Sequence, residues 1–179
     1  MTQIKTSNYI FIVIFKKKMK YLTSIIIILL IFSCESDSLP APEPKDPEDL
    51  SNATIWRGET MTFTKVDNSD PNSEENQDRI TSNVWITRGV SGGEIYNFVT
   101  ESGSTKGQSP EGTLWAVGSI DDLSSLSFSS FRNAVGRPKD SPGQNLILHL
   151  IDDNIYLTVK FTSWSEGRLG GFSYQRSTE

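Results

Sequence analysis

LILHLIDDNIYLTVKFTSW, residues 146–164, decides the fold. Apolar and polar residues alternate on both sides of an acidic break. Strand side chains point alternately to opposite faces, so the segment reads as two strands joined by a turn at Asp152-Asp153-Asn154. Ile155, Leu157, Val159 and Phe161 must then share a face. A loop of even length, with Asp153 and Asn154 in the positive-φ positions, sets Leu146, Leu148 and Leu150 opposite them. A three-residue loop would instead place His149 against Leu157. The even loop is expected because it gathers every leucine on one side. Tyr156, Thr158, Lys160, Thr162, Trp164 and His149 then lie on the face away from the core.

The same alternation, punctuated by Gly, Ser, Asn, Asp and Pro, runs outward over residues 53–179. It predicts strands near 54–57, 60–66, 83–88, 94–99, 113–118, 125–128, 145–151, 155–162 and 171–176. This is the signature of a single all-β domain, an antiparallel β-sandwich of jelly-roll-like type. One short helix is expected in SSFRNAVG, where Ser129 can cap. Phe131 and Val135 share a face there, and Gly136 followed by Pro138 stops the turn. The glycine runs at 91–93 and 167–171 lack the GK[ST] ending and following helix of a phosphate loop, and read as strand connections.

Towards the amino terminus the character changes. YLTSIIIILLIFS, residues 21–33, is an apolar stretch of signal-peptide length, short of the ~20 residues of a membrane-spanning helix, and KKKMK precedes it. Ile31-Phe32-Ser33-Cys34 resembles a bacterial lipobox. That resemblance implies cleavage after Ser33 and a diacylglycerol on Cys34, the only cysteine, with the new amino group acylated as well. One acyl chain binds a membrane marginally and two or three hold it stably. Residues 1–33 are therefore expected to be a lipoprotein signal peptide, and Met19 the true start, since MKYLTSIIIILLIFSC is a complete signal by itself.

Residues 1–33 hold five lysines and no acid, and without them the chain has 12 basic against 22 acidic side chains, a net charge of about −10. That balance excludes a nucleic-acid partner, whose phosphates call for a basic footprint. A lone cysteine also excludes an intramolecular disulfide and cysteine-rich zinc sites. Residues 34–52 continue as an acidic, Pro-rich tether, too poor in apolar residues to fold. Glu35 and Asp37 resemble the surface-export signal of Bacteroidota lipoproteins, and Asp37-Ser38-Leu39 the short O-glycosylation pattern of that phylum. These likenesses imply the outer membrane or cell surface, with the membrane as a partner through the lipid.

Three of the four tryptophans fall on the more polar side of their strands. Trp85 lies between Asn83 and Thr87, opposite Val84 and Ile86. Trp115 shares its side with Thr113 and Val117, opposite Leu114 and Ala116, and Trp164 follows Thr162. Indoles on a polar face suit stacking on a pyranose, so Trp85, Trp115, Trp164 and Tyr156 are candidate contacts in a glycan-binding or adhesive module. The alternative is that these rings pack under loops or the short helix as a second small core.

VDNSDPNSEENQD, residues 66–78, carries enough oxygen donors, Asp67, Asp70 and Asp78 among them, to hold calcium. It lacks the EF-hand spacing, and a solvated acidic loop is the plainer reading. No other cofactor is expected. The single histidine can be drawn into a triad with Asp152 or Asp153, but no GxSxG is present and no catalytic residue is assigned, so a non-enzyme is expected.

TMTFTKVD, NQDRITSNVWITRG, GTLWAVG, the 146–164 hairpin and GGFSYQRST together resemble a small secreted domain of marine and environmental bacteria, especially Bacteroidota. The resemblance implies a β fold and extracellular placement, and no activity. The rival to glycan binding is an accessory envelope lipoprotein that docks on a partner protein and takes no small ligand.

Overall fold

In a computed structural model, which describes residues 50–179, the 146–164 hairpin takes the even register. Leu146 pairs with Val159, Leu148 with Leu157 and Leu150 with Ile155 around the four-residue loop 151–154. Asn154 adopts positive φ (48°), as the turn requires, whereas Asp153 does not. The Asp153 carboxylate instead accepts hydrogen bonds from Thr81 Oγ1 (2.7 Å) and Asn83 Nδ2 (2.8 Å).

The elements are β1 (Thr54–Trp56), β2 (Thr60–Lys65), β3 (Asp78–Arg79), β4 (Trp85–Arg88), β5 (Ile95–Asn97), β6 (Thr113–Val117), α1 (Phe131–Val135), β7 (Leu146–Leu150), β8 (Ile155–Trp164) and β9 (Phe172–Ser177). Antiparallel pairing gives a large sheet in the order β2-β9-β8-β7-β6, to which β1 adds by parallel pairing with the start of β8, and a small sheet β3-β4-β5. The fold is an all-β, two-sheet sandwich. Its core joins Leu146, Leu148, Leu150, Leu157, Val159 and Phe161 of the large sheet to Ile86 and Ile95 of the small one. Each such side chain stabilises by about 1.5–3 kcal/mol on burial. Trp85 lies on the outer side of β4, as alternation predicts, with Val84 and Ile86 buried.

Several expectations need correction. Residues 125–128 are not a strand: Ile120–Ser125 winds as 3-10 turns, and only Ser129 bridges to Trp115. Ser130, not Ser129, caps α1, its side chain accepting from the Asn133 N–H. Leu50–Asn52, assigned above to the tether, is a 3-10 turn, and Leu50 packs on the fold.

The larger correction concerns the second face of the large sheet, which is not left to solvent. The 120–128 segment covers it, and Ile120, Leu123, Ile147 and Tyr156 form a second core with Phe128 against them. His149 stacks on Tyr156 within this layer, centroids 4.0 Å apart.

β3 is short, but it carries the main polar contact between the sheets. The buried Asp78 carboxylate accepts from Tyr174 O–H (2.6 Å), Arg176 Nε (2.7 Å) and Arg176 Nη2 (2.9 Å), both partners lying on β9. Burial, then the charge and hydrogen bond of Asp78, raise the Tyr174 phenol well above its ordinary value. For Arg176, burial alone would lower the pKa, but the hydrogen bond and charge of Asp78 outweigh it and raise the value.

The sign for Tyr174 follows by linkage. Above about pH 10 an unfolded tyrosine releases a proton that the folded one keeps, so stability falls with rising pH, by up to about 1.4 kcal/mol per unit. Tyr174→Phe is expected to be less stable at pH 8, by about 1.5–3 kcal/mol, and to lose stability less steeply above pH 10. Urea unfolding from pH 8 to 11 checks this, and parallel slopes for the two proteins would refute it.

Candidate functional site

β4 ends on Arg88, and the chain returns through Gly89–Gly93 to Glu94 and β5. Facing this turn is the loop from Trp164, at the end of β8, to Gly171. The two glycine-rich loops touch. Gly170 has φ 74°, and a β-carbon there would collide with the Gly89 carbonyl oxygen. One on Gly92 (φ 86°) would lie 2.7 Å from the Gly167 carbonyl oxygen. Side chains at these positions would hold the backbones apart.

Beside this contact lies a cleft of about 460 Å³, within the range of small-molecule sites. Arg88 forms part of its wall. Its Nε donates to Gly93 O (2.9 Å) and its Nη1 to Ser165 O (3.0 Å) and Gly171 O (2.8 Å), which ties both loops together. The guanidinium lies 4.0 Å from the centre of the Trp164 ring. Burial pulls the Arg88 pKa down to about 10, the charge of Asp67 opposing.

Glu94 faces the same cleft. Its side chain is 4% exposed, and Oε1 accepts from Arg132 Nε (2.6 Å) and the Gly107 N–H (3.0 Å). Oε2 is buried and has no donor among the described residues. A carboxylate oxygen out of water ordinarily has one. Arg132, on α1, is 30% exposed and uses only Nε on Glu94, so both terminal amines have no partner among the described residues.

With Lys106, Arg137 and Lys139, five cations line the cleft against two carboxylates, Glu94 and Glu166. Five of the 12 basic residues that follow residue 33 thus line one cleft of an acidic chain. The rim pairs Lys139–Glu166 (3.0 Å) and Arg137–Asp140 (2.6 Å) are exposed, and such pairs hold by roughly 0–1 kcal/mol, weakly enough to exchange partners.

Compared with protein-family models, curated proteins and solved structures, the chain matches none. The reading of this cleft therefore rests on its own side chains.

The aromatic candidates divide. Trp115 is 0% exposed, its face in the main core against Phe131 (5.0 Å) and Phe161 (6.3 Å), and its indole N–H is satisfied by Thr113 Oγ1 (3.1 Å). Tyr156 is 1% exposed in the second core. Neither can meet a ligand. Trp164 is half-buried and turned to the core side, because the register of β8 against β9 shifts between Phe161 and Ser163 and a bulge inverts the alternation there. It packs on Phe131, Phe161 and Phe172 at 5.8–6.1 Å, so it supports Arg88 and is not an open stacking face. Trp85, also half-buried, carries Arg79 over its ring at 4.1 Å and lies outside the cleft.

The acidic loop does not assemble. Asp78 is buried on Arg176, and Asp70 accepts from the backbone and side chain of Asn72, bonds that lower its pKa. Asp67 is exposed and acts on Arg88 through charge. Among the described residues, no group of three or more Asp, Glu, His or Cys gathers to hold a metal. Cys34 lies outside the described residues. The cleft residues Arg88, Glu94 and Arg132 carried no signal in sequence spacing; the two glycine runs were the only local hint.

Proposed function

We propose that the chain is a lipid-anchored envelope protein, carried on Cys34 at the outer membrane or cell surface, whose β-sandwich is a non-catalytic module that binds a glycan in the Arg88–Glu94 cleft. The observation that carries the binding reading is the buried, half-satisfied carboxylate of Glu94 beside a held but unsaturated Arg132, in a cleft of small-molecule size. Such convergent polar groups, braced by a β-sandwich, are the usual makings of a recognition site. The anchor reading rests on the lipobox and the charged stretch before it. Among the described residues no helix is long and apolar enough to cross a membrane.

The test is a glycan array probed with the full chain in mild detergent, followed by amide NMR on any glycan bound. Shifts are expected at Glu94, Lys106, Lys139 and Gly167, and Cys34→Ser is expected to abolish labelling by palmitate. No binding on the array, or shifts confined to the far side of the sandwich, would overturn the glycan reading in favour of docking on a partner protein.

A further inference from the structure

Granting that the cleft takes a glycan, its side chains specify which kind. We infer that the ligand is an acidic saccharide, a sugar carrying a carboxylate or sulfate, with Arg132 gripping the acid group and the ring hydroxyls turned to the Glu94 side.

Arg132 decides the acid group. Glu94 Oε1 holds its Nε at 2.6 Å, which fixes the plane of the guanidinium and leaves the two terminal amines as a fork without a partner among the described residues. A guanidinium fork matches the two oxygens of a carboxylate or sulfate, and a charge-assisted pair of this kind is about twice as strong as a neutral hydrogen bond. Lys106 has no acidic partner among the described residues, and Arg88 spends its bonds on neutral carbonyl groups, so neither charge is cancelled by direct contact. Lys139 is held only by an exposed pair. A neutral sugar would leave this excess positive charge uncompensated; an anion compensates it.

Glu94 decides against a bare anion. Oε2 is a buried acceptor that lacks a donor, and a fully deprotonated oxyanion such as sulfate brings none. A saccharide brings hydroxyls, which are donors and acceptors both. One molecule with an acid group and several hydroxyls answers every unsatisfied group in the cleft.

The experiment is calorimetric titration of the full chain in mild detergent with a galacturonic acid trisaccharide, its methyl ester, which keeps the hydroxyls and removes the charge, a sulfated galactose trisaccharide, and inorganic sulfate. The carboxylate or the sulfate-bearing sugar is expected to bind at least tenfold more tightly than the methyl ester and to weaken as salt rises from 50 to 500 mM. Arg132→Gln is expected to remove that tenfold preference. Lys106→Gln, a change on the exposed rim, is expected to reduce it by about threefold even if Arg132→Gln folds poorly. Equal, salt-insensitive binding of acid and ester would overturn the inference and leave glycan binding standing. Inorganic sulfate binding as tightly as either acidic sugar would also overturn it. Failure of every saccharide, neutral ones on the array included, would overturn both readings. Retention of the full preference in both variants would take Arg132 and Lys106 out of the site and overturn the inference.

Discussion

Asp78→Ala is expected to cost about 3–5 kcal/mol, the largest loss of any single substitution that removes a charge, because it leaves the Arg176 guanidinium buried without its counter-charge. For a folded region of about 130 residues this corresponds to a fall in Tm of roughly 10–20 °C. The effect combines three losses. Arg176 loses a bidentate partner, Tyr174 loses the acceptor for its buried hydroxyl, and β3 loses its polar contact with β9. Urea unfolding measures the change. Removing the cation as well, in Asp78→Ala with Arg176→Met, is expected to recover part of the loss, since two apolar groups cost less than one stranded charge. A loss under about 1 kcal/mol would place the pair with exposed ones and refute its burial.

Trp115→Ala is expected to cost a similar 3–5 kcal/mol for a different reason, the cavity left when a large, fully buried ring is deleted. Trp115 carries α1 through its contact with Phe131, and its backbone N–H and C=O exchange hydrogen bonds with Ser129 (2.9 Å each), just before that helix. The cavity would therefore lie beneath the element that delivers Arg132. Stability by urea unfolding and near-ultraviolet circular dichroism should both drop, with glycan affinity at low temperature changed less than by Arg132→Gln. If Trp115→Ala abolished binding while leaving stability within about 1 kcal/mol, the ring would be a contact residue after all.

The contrast between Trp85 and the other two tryptophans shows what alternation can and cannot convey. On β4 the rule worked because the strand is regular, with Ile86 inward and Trp85 outward. At Trp164 one extra residue near Thr162 reverses the sense of everything after it, and nothing in TSW announces a bulge. At Trp115 the polarity of Thr113, on the same side of the strand, pointed the wrong way. The sheet has an apolar layer on both sides, so Leu114 and Ala116, paired with His149 and Ile147, lie on the face of the second core and do not mark the only one. The hairpin register was legible because five consecutive pairs must agree at once, and a one-residue slip would turn the leucines of β7 away from Leu157, Val159 and Ile155.

The cleft was not legible, since Arg88 and Glu94 flank one turn while Arg132 comes from α1 and Trp164 from the end of β8, and nothing in the string says that these three segments meet. The acidic loop shows the complementary case. Its residues look alike in a string, but Asp78 sits at the start of a strand, where its side chain turns inward to Arg176, and Asp70 remains in the turn.

β7 has a strand on each edge and an apolar layer on each side, and all five of its residues are buried. Its amide hydrogens are therefore shut off from deuterated water by every local fluctuation that leaves the sheet intact. They exchange only when the whole fold opens, so their exchange rate reports the free energy of global unfolding without any denaturant.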